Sequence, residues 1–271
     1  MGKIDIFMKI NLKLCAFVLG SLSILSCQSQ VPQKLDGKNL VWHDEFNQGS
    51  TPDLTKWKYD TGGHGFGNNE LQYYTKSPKN ARIEEGNLIL QAHKENYQSN
   101  HYTSAKLQTK GLHSWKYVTV EVCAKLPKGR GTWPAIWMMS ENMKDWPRDG
   151  EIDIMEHVGY NHGFIHASIH TEKYNHIINT QITDTIEVPT VSEQFHVYKM
   201  DWNKQGITMY VDGEKYYHVE KKQGGYDAWP FDQPFYLILN QAVGGNWGGK
   251  EGVDSTIYPQ SFLIDYVRVY Q

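Results

Sequence analysis

From Leu40 to the C-terminus, apolar residues fall in short runs, several alternating with polar ones at a period of two. Gly, Asn, Asp and Pro separate the runs. Such a pattern predicts half-buried strands, here over residues 87–92, 117–124, 132–139, 151–157, 164–170, 196–202, 207–211, 235–242 and 262–270. Asp212-Gly213, after the alternating Thr208-Met209-Tyr210-Val211, is the strongest hairpin signal. Long amphipathic helices do not alternate with these strands, which argues against a doubly wound α/β fold or an α/β barrel. An all-β fold of two packed antiparallel sheets with long Gly-rich loops fits best. The last strand is expected to pair back onto a strand over 40–46 and close a single domain, 40–271.

The N-terminus has a different pattern. Lys9 and Lys13 precede an apolar run over 14–25, too short to span a bilayer but suited to the core of a signal peptide. Ile24-Leu25-Ser26-Cys27 resembles the lipobox of bacterial lipoproteins. This implies a leader over 1–26, lipidation of Cys27 and a short tether over 27–39. The membrane contact would be through that lipid only, at the bacterial cell envelope, with the outer membrane's outer face as the expected place. Loss of Lys3, Lys9, Lys13 and Asp5 with the leader removes a net +2 from a formal −3, leaving about −5.

Composition narrows the ligand. The chain has 271 residues, 27 Lys+Arg against 30 Asp+Glu, and 9 Trp with 17 Tyr. An acidic balance gives no footprint for nucleic acid. Many flat, amphipathic rings suit a surface that receives a polar, ring-shaped ligand such as a sugar.

The informative segment is Gly150-Glu151-Ile152-Asp153-Ile154-Met155-Glu156. In a strand, Glu151 and Asp153 share one face while Ile152 and Ile154 point into a core. Strict alternation sends Glu156 to the wrong face, and a β-bulge around Ile154–Met155 returns it. Three carboxyls on one side of a cleft repel each other and raise at least one pKa. Glycoside hydrolysis needs that asymmetry: one ionised carboxylate and one protonated carboxyl. The spacing permits a retaining geometry without requiring it. A calcium loop would place oxygen donors between these residues, and here the intervening residues are apolar.

At this point the chain resembles glycoside hydrolase family 16, in its laminarinase and mixed-linkage β-glucanase branch. The resemblance rests on Trp42-His43-Asp44-Glu45-Phe46, Gly67-Asn68-Asn69-Glu70-Leu71-Gln72-Tyr73-Tyr74 and Gly131-Thr132-Trp133-Pro134-Ala135-Ile136-Trp137-Met138-Met139. The carboxylate box, His170-Thr171 with Tyr174-Asn175-His176, Ala242-Val243-Gly244-Gly245-Asn246-Trp247 and Ile264-Asp265-Tyr266-Val267-Arg268-Val269-Tyr270 complete it. It implies a concanavalin A-like β-jelly roll with a concave cleft. It also implies retaining chemistry without a cofactor, with Glu151 as nucleophile, Glu156 as acid/base and Asp153 tuning Glu151.

The expected sugar platforms are Trp133 and Trp137, four apart on one strand face beneath the non-reducing side, with Trp115 and Trp247. Polar grips are expected from Asn69, Glu70, Arg82 and Gln241, and His170 is expected near the acid/base carboxyl or a leaving-side sugar. Many family members hold a calcium ion on the convex face. The matching positions are Glu45, a backbone oxygen at Gly86, and Asp265. The implied partner of this monomer is β-glucan, mixed-linkage β-1,3/1,4 or plain β-1,3. A galactan hydrolase of agarase type and a glucan-binding protein are the alternatives.

Overall fold

The alternating runs pair as antiparallel strands. The computed structural model describes residues 31–271, and among them eighteen strands follow in order. They are β1 (Lys34–Leu35), β2 (Lys38–Asp44), β3 (Lys58–Tyr59), β4 (Gln72–Tyr74), β5 (Ala81–Glu84) and β6 (Asn87–Tyr97). Next come β7 (Asn100–Ser104), β8 (Lys106–Gln108), β9 (Thr119–Lys125), β10 (Thr132–Ser140), β11 (Glu151–Glu156) and β12 (Phe164–His170). The last six are β13 (Ile182–Glu187), β14 (His196–Trp202), β15 (Gly206–Val211), β16 (Glu214–Glu220), β17 (Phe235–Val243) and β18 (Gln260–Tyr270).

Two sheets result. One has the order β13-β12-β11-β10-β17-β8-β3. The other runs β16-β15-β14-β9-β18-β6-β7-β4, with β2 also on β18 and β5 also on β6. Every pairing is antiparallel except β4 with β7. Between the sheets lies one core, with Ile136, Met138, Ile152, Ile154, Leu237 and Leu239 from the first and Val120, Val122, Met200 and Ile264 from the second. Each large apolar side chain buried this way contributes roughly 1.5–3 kcal/mol. The fold is the jelly-roll sandwich that the resemblance implied.

β12 shows how the pattern positions the cleft. Ile165, Ala167 and Ile169 enter the core, so His166, Ser168 and His170 are turned to the opposite face, where they line a cavity. The expected closure occurs: β18 pairs with β2 from Val267↔Asp44 to Tyr270↔Leu40. The expected hairpin joins β15 to β16, with Asp212 at φ 50° and Gly213 at φ 83°, the left-handed conformation that such a turn needs. One boundary differs. Lys34 pairs with Asn39 and Leu35 with Lys38, so ordered sheet begins inside the stretch read as a tether. Asp36-Gly37, both at positive φ, makes that turn. Cys27 and the leader lie outside the described residues. No helix among the described residues is long and apolar enough to cross a membrane.

Candidate active site

β11 holds the bulge. Ile136 pairs with Met155 but Trp137 pairs with Asp153, so Ile154 is the extra residue on this strand. Against β12 the register likewise slips between Asp153↔Ser168 and Glu156↔His166. Ile152, Ile154 and Met155 are all buried in the core. Glu151, Asp153 and Glu156 therefore emerge together on the face of a cavity of about 1070 Å³.

Each carboxyl has its own partner. Trp146 Nε1 donates to Glu151 Oε2 at 2.6 Å. Trp133 Nε1 donates to Glu156 Oε1 at 3.0 Å. His170 Nε2 lies 3.3 Å from Asp153 Oδ2. Burial pushes Glu151 up to about 8, with the Asp153 charge adding to it, while His170 and the Trp146 indole pull the other way. Asp153 is also raised by burial. Glu156 is pushed well above the usual carboxyl range, first by burial and then by the charges of Asp153 and Glu151. The Trp146 indole on Glu151 and the His170 ring beside Asp153 oppose the effect of burial and favour negative charge there. Glu156, raised by the charges of both neighbours as well as by burial, is the carboxyl placed to keep a proton while a neighbour is ionised. A poised acid beside an anionic carboxylate is the arrangement that cleaves a glycosidic bond.

The walls fit a glycan. Toward β17 and β8 the cavity is lined by Trp137, Asn240, Lys106, Glu70 and Phe66, and toward β13 by His166, Ser168, Thr183, Gln181 and Ile177. Trp137 donates its indole N–H to Asn240 Oδ1 at 2.7 Å. Lys106 lies between the Phe66 and Trp137 rings, 4.7 and 5.1 Å from their centroids, and pairs with Asp60 at 3.0 Å. Glu70 accepts from Gln72 at 2.5 Å and Tyr74 at 3.2 Å, and burial raises its carboxyl as well.

The family model for glycosyl hydrolases family 16 matches residues 68–267. The chain belongs to this family. A β-glucanase of Rhodothermus marinus is 49% identical over 242 residues, 86% of this chain and 85% of that protein. The X-ray structure of the laminarinase from Rhodothermus marinus superimposes with a TM-score of 0.84 at 49% identity, over 86% of this chain and 96% of that one. A mutant of SCLam, described as a non-specific endo-β-1,3(4)-glucanase, matches with a TM-score of 0.85 at 46% identity. That match covers 88% of this chain and 96% of the other, and the SCLam crystal holds a 1,3-β-D-cellobiosyl-glucose at its active site.

Within this family 16 fold, the residues expected at the site separate into two groups. Glu70, Trp133, Trp137, His170 and Trp247 join the three carboxyls in lining the cleft. Trp133, however, is largely buried, bonded to Glu156 and edge-on to Trp247 at 5.6 Å, so it positions the carboxyl more than it offers a ring face. His170 is the register partner of Glu151, and it is His166 that pairs with Glu156. The histidine nearest the acid/base strand position is thus the one four residues earlier.

Four expected contacts fall elsewhere. Trp115 is buried in the core, edge-on to Trp42 at 5.4 Å, because its segment bridges to Phe235. Arg82 lies on β5 in the other sheet, bonded to Glu84 at 2.8 Å and to Gln91 at 3.2 Å. Asn69 is at φ 54°, and its side chain is turned to the lining residue Asn246, to which it donates at 2.9 Å, while Asn68 and Glu70 line the cavity themselves. Gln241 is fully buried on the same side of β17 as Leu237 and Leu239, and its neighbours Asn240 and Ala242 face the cleft. Of the expected calcium ligands, the Glu45 carboxylate is spent on Arg268, at 2.9 and 2.7 Å.

Trp146, Lys106, Asn240, Asn246 and His176 line the cleft without having been expected there. The period-two pattern of β17 carried a signal for Asn240. Trp146 and His176 sit on loops, where no periodicity reports direction.

Proposed function

We propose that this chain is a retaining endo-β-glucanase acting on β-1,3-glucan and on β-1,3/1,4 mixed-linkage glucan. The bulge of β11, which brings Glu151, Asp153 and Glu156 to one face of an aromatic-walled cleft, carries this reading. In the first step a Glu151 oxygen attacks the anomeric carbon, and Glu156 gives its proton to the departing glycosidic oxygen. Glu156, now ionised, takes a proton from water, whose oxygen displaces Glu151 and completes the hydrolysis. Asp153 holds the proton of its hydrogen bond to Glu151 and lies 3.3 Å from His170, so that Glu151 is oriented while charge develops on the sugar. The relatives acting on β-1,3(4)-glucan support the substrate, and ring-lined walls rich in carboxyls, with Lys106 already paired to Asp60, fit it better than they fit a sulfated polymer.

Incubation of residues 28–271 with laminarin, barley glucan and agarose, with products resolved by chromatography, tests the proposal. Cutting of the two glucans, with loss of at least about a thousandfold in Glu151→Gln, is expected. Cutting of agarose alone would overturn the substrate, and a fully active Glu151→Gln would overturn the mechanism.

The reading extends to two features away from the cleft. Lipidation at Cys27 would hold the enzyme on the outer face of the cell envelope, where large glucans are met. Labelling with a radioactive fatty acid, lost in Cys27→Ala, tests this. A structural calcium ion would sit where β18 leaves β6, at Ile264↔Leu88, and joins β2, at Val267↔Asp44. Asp265 falls at that split, with the turn at Gly86 and the end of β2 beside it. With the Glu45 carboxylate engaged, its backbone oxygen and that of Gly86 would complement the Asp265 carboxylate. A melting temperature unmoved by a chelator would remove the ion from the reading.

A further inference from the structure

Exposed large apolar side chains are few among the described residues, and two of them are adjacent. Ile177 is 66% exposed and Ile178 54%. They belong to a 3-10 turn, His176–Ile178, in the loop that joins β12 to β13. Ile177 also lines the cavity that contains the three carboxyls, at the end where β13 is the edge strand.

A mobile loop could withdraw such a side chain from water. This one is held. Asn175 is buried, and its side-chain oxygen accepts from Ile177 N at 3.1 Å and from Ile178 N at 3.3 Å. Its amide donates back to Thr171 O at 3.1 Å and Glu172 O at 3.2 Å. The His176 ring lies 5.2 Å from both the Trp146 and His170 rings, which ties the turn to the carboxyl cluster. Below it Gln181 lines the same wall, and Thr183 is fixed by donating to Ala167 O at 2.9 Å. The fold keeps an isoleucine in water at the mouth of a sugar cleft, where it forfeits burial until a ligand covers it.

We infer that Ile177 is a platform for a glucosyl unit on the leaving side of the cut, and so a specificity-determining residue for polymer over short substrates. This rests on the glucanase reading, with Trp137 and Asn240 on the non-reducing side and β13 opposite. The C–H face of a pyranose covers the Ile177 side chain, and Gln181 reaches its hydroxyls. Because the contact is made only by sugars beyond the scissile bond, a substrate without them gains nothing from it.

The test compares wild type, Ile177→Ser and Ile177→Leu on two substrates. One is a β-1,3-linked hexasaccharide. The other is a nitrophenyl glycoside of the β-1,3-linked trisaccharide, which places no sugar past the cut. Ile177→Ser is expected to lower kcat/KM on the hexasaccharide about five- to tenfold, the effect of losing part of one aliphatic contact. It should leave the nitrophenyl substrate within about twofold, and Ile177→Leu should restore the hexasaccharide rate. Equal losses on both substrates, or no loss on either, would overturn the platform. Wild-type inactivity on both would instead overturn the glucanase reading, and the platform with it.

Discussion

The indole N–H of Trp146 is 2.6 Å from Glu151 Oε2, although the two residues belong to different elements: Trp146 to the loop before β11, Glu151 to its first position. The bond is made to the carboxyl that must be negative in order to attack. A donor on a carboxylate stabilises the ionised form and lowers its pKa, so Trp146 opposes the burial that pushes Glu151 up to about 8. In Trp146→Phe that opposition is gone. The Glu151 carboxyl rises further and the acidic limb of the kcat/KM profile moves to higher pH. Activity below that limb should fall about 10- to 100-fold, the usual value of a hydrogen bond to a charged group. A pH–rate series on a soluble glucan measures this, and an unmoved acidic limb would show that the bond does not hold the charge.

Trp133 makes the matching bond to Glu156, at 3.0 Å, and its removal acts on the other limb. Glu156 has to be protonated to donate, and its carboxyl is already well above the ordinary range through burial and the neighbouring charges. Without the indole donor it rises again, so the protonated form persists to higher pH. Trp133→Phe is therefore expected to extend activity on the alkaline side while lowering the maximum rate, because Glu156 loses its anchor. Alkaline limbs that coincide in wild type and variant would contradict this.

The same burial makes the site a cost to the fold. A carboxyl whose folded pKa is raised binds protons more tightly in the folded state. Its contribution is fully favourable below the unfolded value and is lost as pH rises through the folded one. For Glu151 that window runs from about 4.5 to about 8. Replacing it with the neutral isostere removes the titration. Glu151→Gln should match wild type in melting temperature near pH 4 and exceed it by several degrees near pH 8. A constant difference across that range, read by calorimetry, would show that the carboxyl is not desolvated as the structure has it.

The sheets and the carboxylate box were legible because both depend on alternation, which the sequence displays directly. β12 and β14 span residues 164–170 and 196–202, the ranges that the apolar period marks. The bulge was legible for a related reason: Ile154-Met155 breaks the alternation that Glu156 would otherwise follow. β13 was not foreseen, and β16 only as the second arm that the Asp212-Gly213 hairpin implied. Each lies at the end of a sheet, where Ile182-Thr183-Asp184-Thr185-Ile186-Glu187 and Glu214-Lys215-Tyr216-Tyr217-His218-Val219-Glu220 keep polar side chains in water and weaken the period. The cleft contacts were harder still. One residue of parity separates Asn240, which faces the cleft, from Gln241, which does not. Arg82 and Trp115 are residue types that suit a glycan, but pairing on β6 and against Phe235 placed them elsewhere.

Arg268 is nearly fully buried, stacks 3.6 Å from the centroid of the Tyr266 ring, and grips Glu45 through two nitrogens at 2.9 and 2.7 Å. It joins β18 to the end of β2, the seam that closes the domain. Neutralising Glu45 takes from the buried Arg268 its bidentate partner and leaves only the Glu121 charge on the neighbouring strand, which costs up to about 3–5 kcal/mol. Removing both takes away that penalty, and Glu121 keeps the Lys199 charge. Glu45→Gln is therefore expected to lower stability by about that amount, and Glu45→Gln combined with Arg268→Met to recover most of it. Arg268 and Glu45 lie on the sheet remote from the carboxyl cluster, so kcat at low temperature should not change in any of these variants. Denaturant unfolding of the four proteins in a double-mutant cycle decides it. Additive losses would mean that the pair, despite its geometry, does not hold the seam.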